Sequence, residues 1–163
     1  IWHIARAQLA LGESDHAAQS FVTSVNQAPA AHRADLLQRA GTICYQSGAP
    51  AAAAALYRTA LTLGDNATVA ANLAWLLATT RADAVRDGRA ALTYAESAIR
   101  LQGENPENLS SLAAALAEVG RFPDAISAAT RAVDLVKTTG NAPAEKELGA
   151  RLAAFRAGQP WRQ

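Results

Sequence analysis

The sequence predicts an all-α chain, a solenoid of antiparallel helix-turn-helix repeats, about four in number, with a C-terminal capping helix. Three observations predict it. Small residues recur at fixed intervals around a glycine, apolar residues on both sides of that glycine recur at helical three-and-four spacing, and the last segment carries a helix start signal with one apolar side.

Composition sets the bounds. Half of the 163 residues are apolar, enough to bury a core as one domain over 1–163. Fifteen Lys and Arg against fourteen Asp and Glu leave no basic field of the kind that gathers nucleic acid or anionic lipid. No apolar run approaches the roughly 20 residues of a membrane helix, so the segment is not expected to insert. The single Cys44 excludes an internal disulfide framework and a thiolate zinc cluster, and it leaves the compartment undetermined. The opening IWHIARAQLALG lacks an initiator Met and the long apolar centre of a signal peptide, and it reads as cut from a longer protein.

The first repeat covers about 1–30: Ile4-Ala5 is followed by Gly12, Ala17 and Ser24, with Phe21 between the last two. The second, about 34–66, repeats the order as Ala40-Gly41, Gly48, Ala53, Tyr57 and Ala60. In the third, about 67–105, Leu73-Ala74 is followed by Ala91 and Ala98 five places late, so TTRADAVRDG contains a five-residue insertion in the turn. The fourth, about 106–140, restores the order as Leu112-Ala113, Gly120, Ala125 and Ala132, with Phe122 just past the glycine. Gly12, Gly48 and Gly120 are placed to end each first helix in the left-handed conformation that glycine adopts without a Cβ penalty. Asn105-Pro106 and Glu107 set a capping side chain, a proline at the first helical position and an acid at the dipole's positive end. From Asn141 the same signals open a capping helix over about 142–158, with Leu148, Leu152 and Phe155 on one side. Alanine at the crossings lets helix backbones approach while Leu, Tyr and Phe fill the gaps.

With these residues the chain resembles the tetratricopeptide repeat family, most closely over 106–137 and in AGTICYQSGAPAAAAALYRTALTL, where the glycine, the two alanines and Tyr57 match. Leu37 and Leu109 stand where the family places a tryptophan, Ser24 stands for the final alanine of the first repeat, and only Pro29 is a repeat-ending proline. More narrowly, residues 72–126 and the closing FRAGQPWRQ look like the C-terminal repeat tract of large bacterial proteins, some with a catalytic or membrane domain upstream. The resemblance implies a right-handed solenoid whose first helices line a concave, partner-binding side.

Nothing in the sequence points to catalysis, a metal or a cofactor. His3, His16 and His32 lack the spacing that puts two ligands on one helix face. Cys44 occupies an inward position where a small thiol simply packs. Asp83, Asp87 and Glu96 interleave with Arg81, Arg86 and Arg89 and read as a solvated, self-neutralising loop. No glycine run cradles a phosphate. The sequons at Asn66 and Asn108 would matter only in a eukaryotic secretory pathway, and an Ala- and Arg-rich, Lys-poor composition fits a bacterial source, cytoplasmic or periplasmic.

By the family's geometry, first-helix residues turned away from the second helices are Trp2, Arg6, Gln38, Thr42, Tyr45, Gln46, Asn72, Trp75, Thr79 and Glu118. Two indoles and a phenol there are the residue types that anchor peptides in grooves. Asn72 stands where peptide-binding members use an asparagine to hold a ligand backbone. Capture of a terminal carboxylate is not expected, because Gln38, Thr42, Ser110 and Ser111 stand where such members carry cations and Arg39 is the one nearby. Trp75 either lines the groove or lies against the insertion; Trp2 either binds or once packed on a preceding hairpin; Tyr45 either binds or bridges to the neighbouring repeat with a wet hydroxyl. The expected function is a non-enzymatic scaffold for a protein or peptide segment. The alternatives are a spacer or regulatory module of an upstream enzyme, for instance a glycosyltransferase, and self-association into a homo-oligomer through the uncapped N-terminal edge.

Overall fold

The computed structural model describes residues 2–163. They form nine α-helices and no strand among the described residues: α1 Trp2–Ala10, α2 Ser14–Asn26, α3 Ala30–Gln46, α4 Pro50–Thr62, α5 Ala67–Thr79, α6 Gly88–Gln102, α7 Pro106–Glu118, α8 Phe122–Thr139 and α9 Ala142–Arg156. The chain divides into two compact units between Val69 and Ala70, within α5. No helix among the described residues is long and apolar enough to cross a membrane.

In the first unit α1 packs on α2, α3 packs on α4, and α2 packs on both α3 and α4. Ala5, Ala17, Phe21, Val25, Leu37, Ala40, Cys44, Ala53, Leu56, Tyr57 and Ala60 are all buried, so most of the alanines of the repeating pattern lie at helix crossings. Ser20 Oγ donates to Gln8 Oε1 at 2.8 Å and ties α2 to α1. Arg33 closes the end of α2, donating to the Ala28 carbonyl through Nε and to the Asn26 carbonyl through Nη2, both at 2.9 Å. A cation on the last carbonyls of a helix satisfies orphan acceptors at the negative end of its dipole.

In the second unit α7 packs between α6 and α8, and α8 packs on α9. Every residue of α7 from Asn108 to Ala117 is buried except Leu112, which is half-buried. Alanine and serine dominate its buried positions because close-packed neighbours leave room for little else. Its start is fixed as the sequence predicts: Asn105 Oδ1 accepts the Asn108 N–H at 2.8 Å, and Pro106 occupies the first turn. The buried Asn108 amide donates at 2.9 Å to the Gly103 carbonyl, holding the end of α6 against α7. Helix α9 buries Leu148, Leu152 and Phe155 on the side the spacing requires, and Asn141 caps its N-terminus by accepting from the Ala144 N–H at 3.2 Å.

Three of the helix turns share one hydrogen-bond set. The glycine N–H donates three residues back, from Gly12 to Leu9 at 3.0 Å, Gly48 to Tyr45 at 3.0 Å and Gly120 to Ala117 at 3.1 Å. The next N–H reaches five residues back, from Glu13 to Gln8, Ala49 to Cys44 and Arg121 to Leu116, at 2.8, 2.9 and 2.8 Å. This pair of bonds is the Schellman motif, and the three glycines take φ values of 79°, 74° and 81°, which other residues rarely adopt. The turn between α5 and α6 is built differently, as the insertion implies. The Asp87 N–H donates back to the Leu77 carbonyl at 3.0 Å, and the Asp87 side chain caps α6 by accepting from the Ala90 N–H at 3.0 Å.

Candidate functional site

The residues expected on the partner-binding side fall into both units. In the first unit, Arg6 and Gln46 are exposed and, with Leu9, Ala10, Ile43 and Ser47, line an open hollow of about 620 Å³ between α1 and α3. Tyr45 and Gln38 are half-buried. Thr42 is committed to its own neighbourhood: its hydroxyl donates to the Gln38 carbonyl at 3.1 Å and shares a 3.0 Å hydrogen bond with the Tyr57 hydroxyl of α4. Trp2 differs from the expectation that it turns away from the second helix. It meets the Phe21 ring of α2 edge to face at 5.2 Å, while the Arg39 guanidinium lies 5.8 Å from its ring centroid. The physical reason is that Phe21 is the large apolar surface within reach, and an edge-on aromatic pair stabilises beyond simple burial.

In the second unit, Trp75, Thr79 and Glu118 are brought together with side chains the sequence did not single out. Arg151 of α9 places its guanidinium carbon 4.2 Å from the Trp75 ring centroid, donates to Ser110 Oγ at 2.7 Å and pairs with Glu147. A cation over an indole face at this range is attracted by the ring quadrupole. Thr79 is fully buried, with its hydroxyl donating to the Trp75 carbonyl at 2.8 Å, so what it presents is its own carbonyl rather than a side chain. A hydroxyl four residues on from a helical carbonyl can satisfy itself locally, which frees it from facing solvent. Asn72 is half-buried.

Glu118 is the electrostatic centre of this face. Its carboxylate is largely buried, with Oε1 3.1 Å from Arg86 Nε and Oε2 2.6 Å from Arg162 Nη2. Arg86 comes from the insertion, where it also pairs with Asp83 and donates to the Thr80 carbonyl at 3.0 Å. The loop is therefore only partly the solvated tangle of charges that the composition suggests: Arg81, Asp83, Asp87 and Arg89 are exposed, but Arg86 is held inward. Gly88 makes the approach possible, because a Cβ there would lie 2.8 Å from Glu118 Cγ and 3.0 Å from Val119 Cγ1.

Arg162 belongs to residues 159–163, which leave α9 without regular structure. Arg162 Nη1 donates to the Ala78 carbonyl at 3.2 Å, and the Gln163 N–H donates to the Thr79 carbonyl at 3.0 Å. The last four carbonyls of α5 are thus all occupied: Leu76 by the Thr80 N–H, Leu77 by the Asp87 N–H, and Ala78 and Thr79 by this segment. Sequence reasoning missed Arg151, Trp161 and Arg162. The available signal was an aromatic and a cation placed directly after Pro160.

Cys44 is fully buried, and burial pushes its thiol up to about 11. A thiol so protonated packs and does not attack. Burial also raises the Tyr57 hydroxyl, offset in part by the bond to Thr42. The three histidines are exposed, and no group of three or more His, Cys, Asp or Glu among the described residues could hold a metal. No family model matches the chain, and no curated protein matches it.

Proposed function

We propose that the chain is a non-enzymatic helical-repeat scaffold of the tetratricopeptide kind, binding an extended or helical segment of another protein on the concave face of its first helices. The observation that supports this reading is in the second unit. There α5 and α7 take an N–H and a guanidinium from a stretch of non-helical chain, using the Thr79 carbonyl and the Glu118 carboxylate. Faces that engage extended chain in this way, with main-chain bonds for affinity and side chains for choice, are a recurring mode of peptide recognition.

The test is a partner captured from the source organism, identified, and then titrated by calorimetry against the native chain and the Tyr45→Ala, Trp75→Ala double variant. Loss of a few kcal/mol of affinity with unchanged helicity is expected, since aromatic anchors dominate such interfaces. Unchanged affinity overturns the assignment to this face.

A further inference from the structure

Residues 159–163 occupy a site made of acceptors. The Ala78 and Thr79 carbonyls end α5, and the Glu118 carboxylate ends α7. Carbonyls and a carboxylate can only accept, so whatever fills this place must donate at several points at once. A guanidinium with its planar fork of N–H groups, next to a backbone N–H, meets that demand; an ammonium offers a compact point charge instead. From this geometry we infer that the end of α5 and Glu118 form an arginine-recognition site, filled in cis by residues 159–163 and open to an extended, arginine-bearing segment of another protein when that stretch lifts away. The inference rests on the reading of the chain as a segment-binding scaffold and names the ligand chemistry of one of its faces.

Two features suit the site to exchange of occupants. Arg86 lies on Glu118 Oε1 at 3.1 Å and is anchored separately to Asp83 and the Thr80 carbonyl, bonds in which Arg162 takes no part, so a partner for the carboxylate is in place without Arg162. The resident stretch is also an imperfect ligand: the Trp161 indole N–H is buried without an acceptor among the described residues. A buried donor left unpaired weakens the complex that contains it. A foreign segment that offers an acceptor there competes with an advantage.

The experiment uses the full chain and its Arg162→Glu variant. The probe is a fluorescein-labelled peptide, Gly-Gln-Pro-Trp-Arg-Gln, blocked at both ends, with a control peptide in which glutamine replaces arginine. By fluorescence anisotropy the variant should bind the probe at least tenfold more tightly than the native chain. It should ignore the control, and lose the probe when Glu118→Gln is added. Hydrogen exchange should show residues 159–163 faster in the variant, and circular dichroism checks its fold; Arg162→Gln replaces it if the charge reversal disrupts folding. Equal affinity of native chain and variant, or binding indifferent to the peptide's arginine, overturns the inference. Dimers of the native chain that disappear in the variant would reassign the site to a second copy and overturn it as well. A captured partner that depends on Tyr45 and Trp75 but binds native chain and variant equally would overturn the arginine site while leaving the scaffold reading intact.

Discussion

The ring of Tyr57 on α4 lies directly against Gly41 on α3, where an added Cβ would stand 2.7 Å from Cε1 and 2.8 Å from Cδ1. The two helices meet at that glycine because the buried ring leaves space for a hydrogen and nothing larger. Gly41→Ala sets two effects against each other. Helix propensity favours alanine by about 1 kcal/mol, while overpacking a filled site typically costs about 1–3 kcal/mol. Overlap with the ring of a buried residue decides the sign, and urea unfolding should show a net loss of up to about 2 kcal/mol. A second substitution, Tyr57→Leu, should make Gly41→Ala harmless or favourable; additive losses would show that the ring is not the obstacle.

Cys44 makes stability depend on alkaline pH. Its folded thiol titrates near 11 and its unfolded thiol near 9.0, so the unfolded chain releases its proton first. The stabilisation is complete below pH 9 and is lost as pH rises to 11, amounting to about 2–3 kcal/mol at one pKa unit per 1.36 kcal/mol. The native chain should therefore lose more stability than Cys44→Ala over this window in parallel urea titrations. Parallel curves would contradict the buried thiol.

Arg151 and Trp75 should be energetically coupled. Each single alanine variant removes the stack, so a double-mutant cycle should return about 0.5–2 kcal/mol. Arg151→Ala also strips Ser110 Oγ and Glu147 of their partner, so the cycle and not the single losses isolates the stack. A cycle that closes at zero would mean that ring and cation are neighbours without attraction.

Asn108→Ala should destabilise the second unit by about 0.5–1.5 kcal/mol, the usual net worth of a hydrogen bond whose acceptor keeps access to water. The Gly103 carbonyl is that acceptor, at 2.9 Å. Amide exchange should accelerate first near the end of α6. Exchange that quickens uniformly would indicate a global effect instead.

The helices were legible in the sequence because their signals are local. A glycine that must take positive φ, an asparagine before a proline and an alanine every third or fourth place act within one turn of chain, and Gly12, Gly48, Gly120 and Asn105 behave accordingly. The site was less legible because it depends on residues far apart in the chain. Glu118 could be placed on a first helix from its register, yet nothing near it in sequence announces Arg86 or Arg162 as its partners. Thr79 is expected to offer a side chain and offers a carbonyl, because its partner segment lies beyond α9 in the chain. The insertion hid a second local signal, since Asp87 reads as one charge among many until its cap on α6 is seen.

Helix α7 has given up its solvent side between Asn108 and Ala117, and with it the positions at which proteins ordinarily accumulate harmless change. Except at half-buried Leu112, an extra methylene there meets a neighbour. Sequence drift in this chain must therefore collect elsewhere, on exposed positions such as those of α1 and the outer side of α8, while α7 stays small-residued. Related chains, however divergent, should be easiest to align along this one helix.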